Sequence, residues 1–435
     1  MGWSRRAALG GVVAAVGGVA LGQPAQQING PVAVYWMSAV TSTGFSMGGM
    51  AGAGRGGGRG GIPNISAMMG GGGPQKSLLL QLGSSRRPGG EPTAAHQPPS
   101  GLKAGTSLPL LTPRAPPPAP PVERQPGVPQ EYQRPSGRML IFWGCGERAP
   151  AGQPVIIDFA SMTDPAQAQR LGSLLQGINA SVMQPPSPTR NATYGEWPNE
   201  QARTSVPGDG SLIGAHTIKG NYSPDINFNL SPTQDFLAPL NLNTNDKNPG
   251  GWVQLGWNSV PNALGYFATA LGGAAGAGGQ GGDVVLWSSS QIQSAAFTSP
   301  DFLAPGEVNR LVDSRALMSP QTTTCSVYRE VVQAAPSAIL SLSAYGDEAN
   351  FSYPPRPENR ATPWNIEWQV KVRYKSTTGG LLGMSMADLG GGGEGPPGRG
   401  QPPAQAPAGQ QPGRGPSAGD ILRGLGGIGL PRIGR

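Results

Sequence analysis

Hydrophobic and polar positions alternate most cleanly between residues 364 and 374. Trp364, Ile366, Trp368, Val370, Val372 and Tyr374 share one face, and Asn365, Glu367, Gln369, Lys371 and Arg373 the other. Period two predicts a half-buried antiparallel strand with a wet face. Shorter strand signals precede it at Arg138–Cys145, Pro154–Ala160, Trp252–Trp257, Gly265–Leu271, Asp283–Ser288, Cys325–Val332 and Ala338–Tyr345. In Ile226, Phe228 and Leu230 the apolar residues alternate with asparagines. Residues 31–43 are apolar on both faces, so this strand is expected inside a sheet rather than on its edge. One helix is expected. Asp164 stands as its N-cap with Pro165 at the first helical position, and Leu171, Leu174, Leu175 and Ile178 follow at i, i+3, i+4 and i+7. Residues 184–210 read as a polar, proline-containing loop. Many short strands separated by turn signals predict a mainly β chain built as an antiparallel β-sandwich.

Composition limits how much of the chain folds. The 435 residues include 70 Gly and 47 Pro, while only 13% are charged. That is low-complexity composition without the strict glycine period of collagen. The large side chains are unevenly placed. No aromatic residue lies between Phe45 and Tyr132, and none follows Tyr374. Apolar burial needs such side chains, so the core is expected at about residues 138–380. The expected organisation is a signal peptide at 1–22, an N-terminal strand segment at 23–50 and a Gly/Pro-rich linker at 51–135. A β-sandwich region at 136–385 and a disordered tail at 386–435 complete it. Two short apolar runs inside the linker, Ser77–Leu82 and Leu108–Leu111, read either as extra strands or as isolated sticky segments.

The N-terminus reads as an export signal. Arg5 and Arg6 precede an apolar run from Ala7 to Leu21, and Ala20-Leu21-Gly22 offers small residues for cleavage before Gln23. The run is short of the roughly 20 residues that span a bilayer. The paired arginines also fit a twin-arginine signal, so the export route stays open. The chain carries a formal charge of +7, much of it as arginine in the low-complexity stretches. Weak contact with anionic surfaces follows, and the basic, glycine-broken stretch from Asp420 to Arg435 is the segment that would make it. Cys145 and Cys325 are the two cysteines. In an oxidising compartment they pair; otherwise they are two buried thiols.

The run Val253-Gln-Leu-Gly-Trp257-Asn-Ser-Val260-Pro261-Asn-Ala263-Leu-Gly265-Tyr266 resembles the second and third strands of fibronectin type III-like domains. The resemblance covers about residues 252–290. It implies an immunoglobulin-like sandwich in which the Trp and the Tyr pack in the core, and it implies no activity.

Catalytic signatures are weak. Gly44-Phe-Ser46-Met-Gly48 has the spacing of a nucleophile elbow, but glycines rather than a helix follow it. Of the two histidines, His96 falls in the expected linker, which leaves His216 alone. Gly56-Gly-Gly58-Arg-Gly-Gly61 has dinucleotide-loop spacing without a βαβ unit around it. No metal spacing is present, and no cofactor or nucleic-acid partner is expected. Glu147, Asp158, Glu196, Glu330 and Glu367 are the carboxylates available to a glycan hydrolase, which needs two of them facing one cleft. Trp252 and Trp287 are the candidate binding aromatics. They either stack on a sugar or an apolar partner, or fill a second core layer. The functional expectation is an exported, cell-envelope β-sandwich protein that binds or assembles, with an envelope protein or glycan as partner. A carboxylate-dependent hydrolase of envelope polysaccharide and a structural surface or matrix protein are the alternatives.

Overall fold

The computed structural model describes residues 26–44, 73–114, 137–158, 169, 183–274, 282–293 and 301–384. The chain enters through β1 (Ile28–Asn29) and β2 (Ala33–Ser42). It continues with β3 (Gln75–Ser84), β4 (Ala94–Gln97), a 3-10 turn at Ser100–Leu102 and β5 (Leu108–Pro109). β6 (Arg138–Trp143), β7 (Val155–Asp158), β8 (Thr193–Trp197), β9 (Gly214–Gly220) and β10 (Ile226–Leu230) follow. The last part holds β11 (Leu242–Lys247), β12 (Val253–Trp257), β13 (Ala263–Ala274), β14 (Asp283–Ser288), helix α1 (Pro305–Asp313), β15 (Thr324–Val327), helix α2 (Arg329–Ala334), β16 (Ile339–Tyr353), β17 (Trp364–Asn365) and β18 (Trp368–Leu381). The protein is mainly β, with few helices, in several sheets.

The largest sheet has nine strands in the order β7-β6-β14-β13-β16-β18-β2-β3-β8. A four-stranded sheet runs β10-β9-β4-β5, a three-stranded sheet β11-β12-β15, and β1 pairs with β17. One apolar cluster joins them: Tyr35 and Leu80 of the large sheet, Ile218 and Leu230 of the four-stranded sheet, and Leu255 and Val327 of the three-stranded sheet all belong to it. β2 lies between β18 and β3, parallel to β18 with Ala33 opposite Trp368 and Ser42 opposite Thr377. Its burial on both faces follows from its two-sided apolar sequence. The entry to β2 needs glycine. Gly30 has φ +92°, and a Cβ there would stand 2.3 Å from the Ile366 carbonyl oxygen.

Several expectations are corrected. The linker expected at 51–135 contributes β3, β4 and β5. β3 and β5 fall on the apolar runs Ser77–Leu82 and Leu108–Leu111, for which the strand alternative holds; aromatic density placed them outside the core because their anchors are aliphatic: Leu78, Leu80, Leu82, Leu102, Leu108 and Leu110 are all buried. Each such side chain contributes about 1.5–3 kcal/mol when fully buried. The core therefore extends well before residue 138. The loop expected at 184–210 contains β8, whose Trp197 is buried and whose backbone pairs with β3. The run Cys325–Val332 is not one strand. β15 ends at Val327 and α2 begins at Arg329, burying Val331 and Val332. α1 also falls where strand and turn were expected. Pro305 opens it, Glu307 sits in its first turn, and Val308 and Leu311 are buried at helical spacing. The helix expected after Asp164, the export signal, Ser46, the Gly56–Gly61 tract and the tail from 386 lie outside the described residues.

The wet face expected for the 364–374 strand is corrected in part: Asn365 and Glu367 are exposed, whereas the later positions are partly or fully covered. β18 does carry Lys371, Arg373 and Lys375 on one face, but only Lys371 is half-exposed; Arg373 is 6% and Lys375 9% exposed. Alternation identified the face but not what covers it. Trp36, from the adjacent β2, and Phe302, just before α1, lie over these cations.

Candidate binding site

One end of the large sheet carries an aromatic surface. Tyr353 ends β16 because Pro354 and Pro355 follow and cannot donate to the ladder. It is opposite Trp368 in the register, and the two rings stack 5.8 Å apart at 17°. Trp368 is 6% exposed, whereas Tyr353 is 49% exposed. A buried ring thus backs an exposed one. Trp364 of β17 adjoins them, donating from Nε1 to the Pro354 carbonyl at 2.9 Å. Its backbone neighbour across the β1–β17 pair is Ile28, which is 52% exposed.

Polar groups border this surface and are held in place. The Arg356 guanidinium lies over the Trp364 ring at 5.4 Å. Its Nε donates to Gln26 Oε1 at 2.9 Å, and Gln26 Nε2 donates to the Thr362 carbonyl at 2.8 Å. Asn29 Nδ2 donates to Asn365 Oδ1 at 2.8 Å. Exposed Glu367 follows, its backbone N–H donating to the Tyr353 carbonyl. An exposed ring with the Arg356 guanidinium and the Gln26 amide nearby can stack on a flat apolar ligand surface while those groups hydrogen-bond its edges.

A second cation–aromatic assembly lies along β18 and is closed. The Arg373 guanidinium sits 4.2 Å from the Phe302 centroid and 5.0 Å from that of Trp36, and its Nε donates to Ser38 Oγ at 2.7 Å. Burial lowers its pKa to about 10, against the opposing pull of Asp301 and Glu348. Lys371 pairs with the buried carboxylate of Glu348. Lys375 donates to the Asp301 carbonyl at 2.8 Å, and burial pushes its ammonium below the usual lysine range. This assembly holds Asp301 and Phe302 against the sheet.

The aromatics expected to bind behave differently. Trp287 is 1% exposed, and its Nε1 donates to the Gly144 carbonyl at 2.9 Å, so it is a core residue and not a binding surface. Trp252 is half-buried just before β12, beside the Asn248–Gly251 turn. Neither belongs to the Tyr353 surface. That surface was missed because alternation assigned Trp364 and Trp368 to one buried face. The available signal was the Tyr-Pro-Pro sequence at 353–355, which stops a strand immediately after an aromatic residue.

Cys145 and Cys325 form a disulfide, with Cα atoms 5.3 Å apart. It ties the turn after β6 to β15. Two of the carboxylates considered for hydrolysis are engaged separately. Glu196 accepts from the Tyr194 hydroxyl at 2.6 Å, and Glu330 accepts from the Ala149 N–H and from Arg329. Among the described residues, no cluster of three or more His, Cys, Asp or Glu is arranged to hold a metal ion. No described helix is long and apolar enough to cross a membrane. His96 is not in a linker. It lies buried on β4, against His216.

No family model matches the chain, and no curated protein does. Among solved structures, the Fcho1 Mu homology domain of Danio rerio with bound Eps15 peptide covers 81% of this chain and 98% of its own, at 11% identity and a TM-score of 0.20.

Proposed function

We propose that this chain is an exported cell-envelope protein that acts by binding an envelope glycan on the Tyr353 surface, with a fibronectin type III-like sandwich as its central module. The exposed Tyr353 ring, backed by buried Trp368, is the observation that carries the reading. Sugar rings present flat C–H faces to such an aromatic, and the flanking Arg356 guanidinium and Gln26 amide offer donors and an acceptor to hydroxyl groups.

Two features support the central module. β11, β12 and β15 form one antiparallel sheet, while β14, β13, β16 and β18 run antiparallel within the other. Seven strands divided between two sheets is the number of an immunoglobulin constant-type sandwich. Trp257 and Tyr266, one from each sheet, meet with ring centroids 5.7 Å apart. The Val260 N–H donates to the Tyr266 hydroxyl at 2.9 Å, tying the connecting turn to the core. The disulfide supports export, since such bonds persist in oxidising compartments.

The test is co-sedimentation with purified insoluble cell-wall glycan. Tyr353→Ala is expected to weaken retention about tenfold, the equivalent of about 1.4 kcal/mol of lost stacking. Unchanged retention of that variant would remove the site. Cell fractionation checks the compartment, where a chain resident in the cytoplasm with its first 22 residues intact contradicts export.

A further inference from the structure

The chain has two histidines, and both lie in one buried line of hydrogen bonds. Tyr35 of β2 places its hydroxyl oxygen 2.6 Å from Nδ1 of His96 on β4. Nε2 of His96 is 2.9 Å from Nδ1 of His216 on β9. Nε2 of His216 is 2.7 Å from the Leu212 carbonyl oxygen, just before β9. That last partner orders all the others. A carbonyl only accepts, so His216 carries its proton on Nε2 and accepts at Nδ1. His96 must then donate from Nε2 and accept at Nδ1, and Tyr35 must donate. With Tyr35 donating, the line is satisfied throughout only with both imidazoles neutral.

We propose that this line is an acid-sensitive latch between two sheets: protonation of its two imidazoles releases β4 and β9 from β2 while β16 and β18 stay paired. A first added proton fits only if the Tyr35 hydroxyl turns to accept, and it leaves a cation in apolar surroundings. A second sets N–H against N–H across the 2.9 Å between the rings.

The surroundings offer little compensation. Phe228 of β10 stacks on His216 at 4.9 Å and 4°, and Phe351 of β16 packs against Phe228. The Phe228 face attracts a cation weakly. Tyr222, after β9, is the titratable group acting on Tyr35, and burial holds both phenols protonated. Asp235 accepts from the Leu212 N–H and the Ser211 hydroxyl, so it lies at the end of the line without bonding to either imidazole. Burial holds both histidines below the ordinary range; the neighbouring His216 ring lowers His96 further, while the hydrogen bond to Leu212 opposes the shift of His216.

The sign follows from that direction. Detached imidazoles take up protons as pH falls through about 6.5, whereas the latched pair resists them. The latch is therefore at full strength above about pH 6.5 and weakens below it. Two protons taken up only on release change the latched-to-released ratio by up to about a hundredfold per pH unit.

Hydrogen exchange of the full chain at pH 7 and pH 5, corrected for intrinsic exchange chemistry, tests this. The expected result is a steep loss of protection in Ala94–Gln97 and Gly214–Gly220, with Ile339–Tyr353 and Trp368–Leu381 still protected. His216→Gln keeps a donor for the Leu212 carbonyl but removes one titrating group, so the pH dependence should fall to about tenfold per unit. If that variant does not fold, imidazole nitrogen NMR of the unaltered chain decides, with both rings expected as neutral Nε2–H forms that persist in the latched state. Protection lost equally in every sheet, or either ring titrating near pH 6.5 without loss of protection, overturns the latch.

Discussion

Two arginines near the C-terminal end of the described fold lie against aromatic rings in opposite settings. Arg356 rests over Trp364 at the end of the sheet, exposed. Arg373 lies between Trp36 and Phe302 with 6% of its surface accessible. The residue chemistry is the same. In the first setting water screens the cation, which stays exposed over the half-buried Trp364 ring. In the second the cation has lost its water, and its attraction to two rings offsets part of that cost. The contrast teaches that a cation on an aromatic ring is a binding feature only where one ring face remains open. Closed on both sides, it becomes a fastening.

The comparison breaks if both arginines behave alike. The largest expected effect is at the buried one. Arg373→Ala should destabilise the fold by about 3 kcal/mol in urea denaturation, because a large buried side chain leaves a cavity between two rings. Arg373→Met, which keeps most of the volume, should recover most of that loss. Retention on cell-wall glycan should not change in the folded fraction.

Alkaline pH tests burial in the same molecule and should have the next largest effect. Burial raises the phenol pKa of Tyr35, Tyr222 and Tyr374, so these residues stay protonated in the fold but ionise in the unfolded chain above about pH 10. Their stabilisation is complete below about pH 10 and is lost as pH rises. Arg373 and Lys375 work oppositely, since burial holds both folded pKa values below their unfolded ones. Three phenols outweigh two buried cations, so unfolding midpoints should drop above about pH 10. A midpoint that holds or rises there contradicts the burial assigned to these tyrosines.

The smallest stability effects belong to the exposed partner. Arg356→Ala, like Tyr353→Ala, should move stability by no more than about 0.5 kcal/mol. Glycan retention should separate it from Arg373→Ala, falling for Arg356→Ala and holding for the buried variant.

Much of the strand content was legible because period two is a local property. The Trp364–Tyr374 alternation, the Val253–Trp257 run and the strand at 31–43 could each be read from neighbouring side chains alone. The Trp257–Tyr266 contact was legible through the family resemblance of its turn. β3 was harder to assign, since leucines in a glycine-rich setting satisfy several interpretations until a partner strand is known. α1 was readable from Pro305, Glu307 and the Val308–Leu311 spacing, but strand signals on both sides masked it. The Tyr353 surface and the histidine pair were not legible. Each depends on residues from separated segments: His96 and His216 lie 120 positions apart, and β2 meets β18 over more than three hundred.

By itself the sequence determined that the chain is mainly β, where many of its strands fall and which side chains share a strand face. Backbone geometry imposes those properties within a few residues. Only the tertiary structure decided which faces are covered. It placed β2 beside β18 and so buried Arg373, left Tyr353 open where the sheet ends, and brought the two histidines into a line whose proton positions a single carbonyl sets. Burial and hydrogen-bond partners depend on what packs against a strand, and here the packing segments come from the opposite end of the chain.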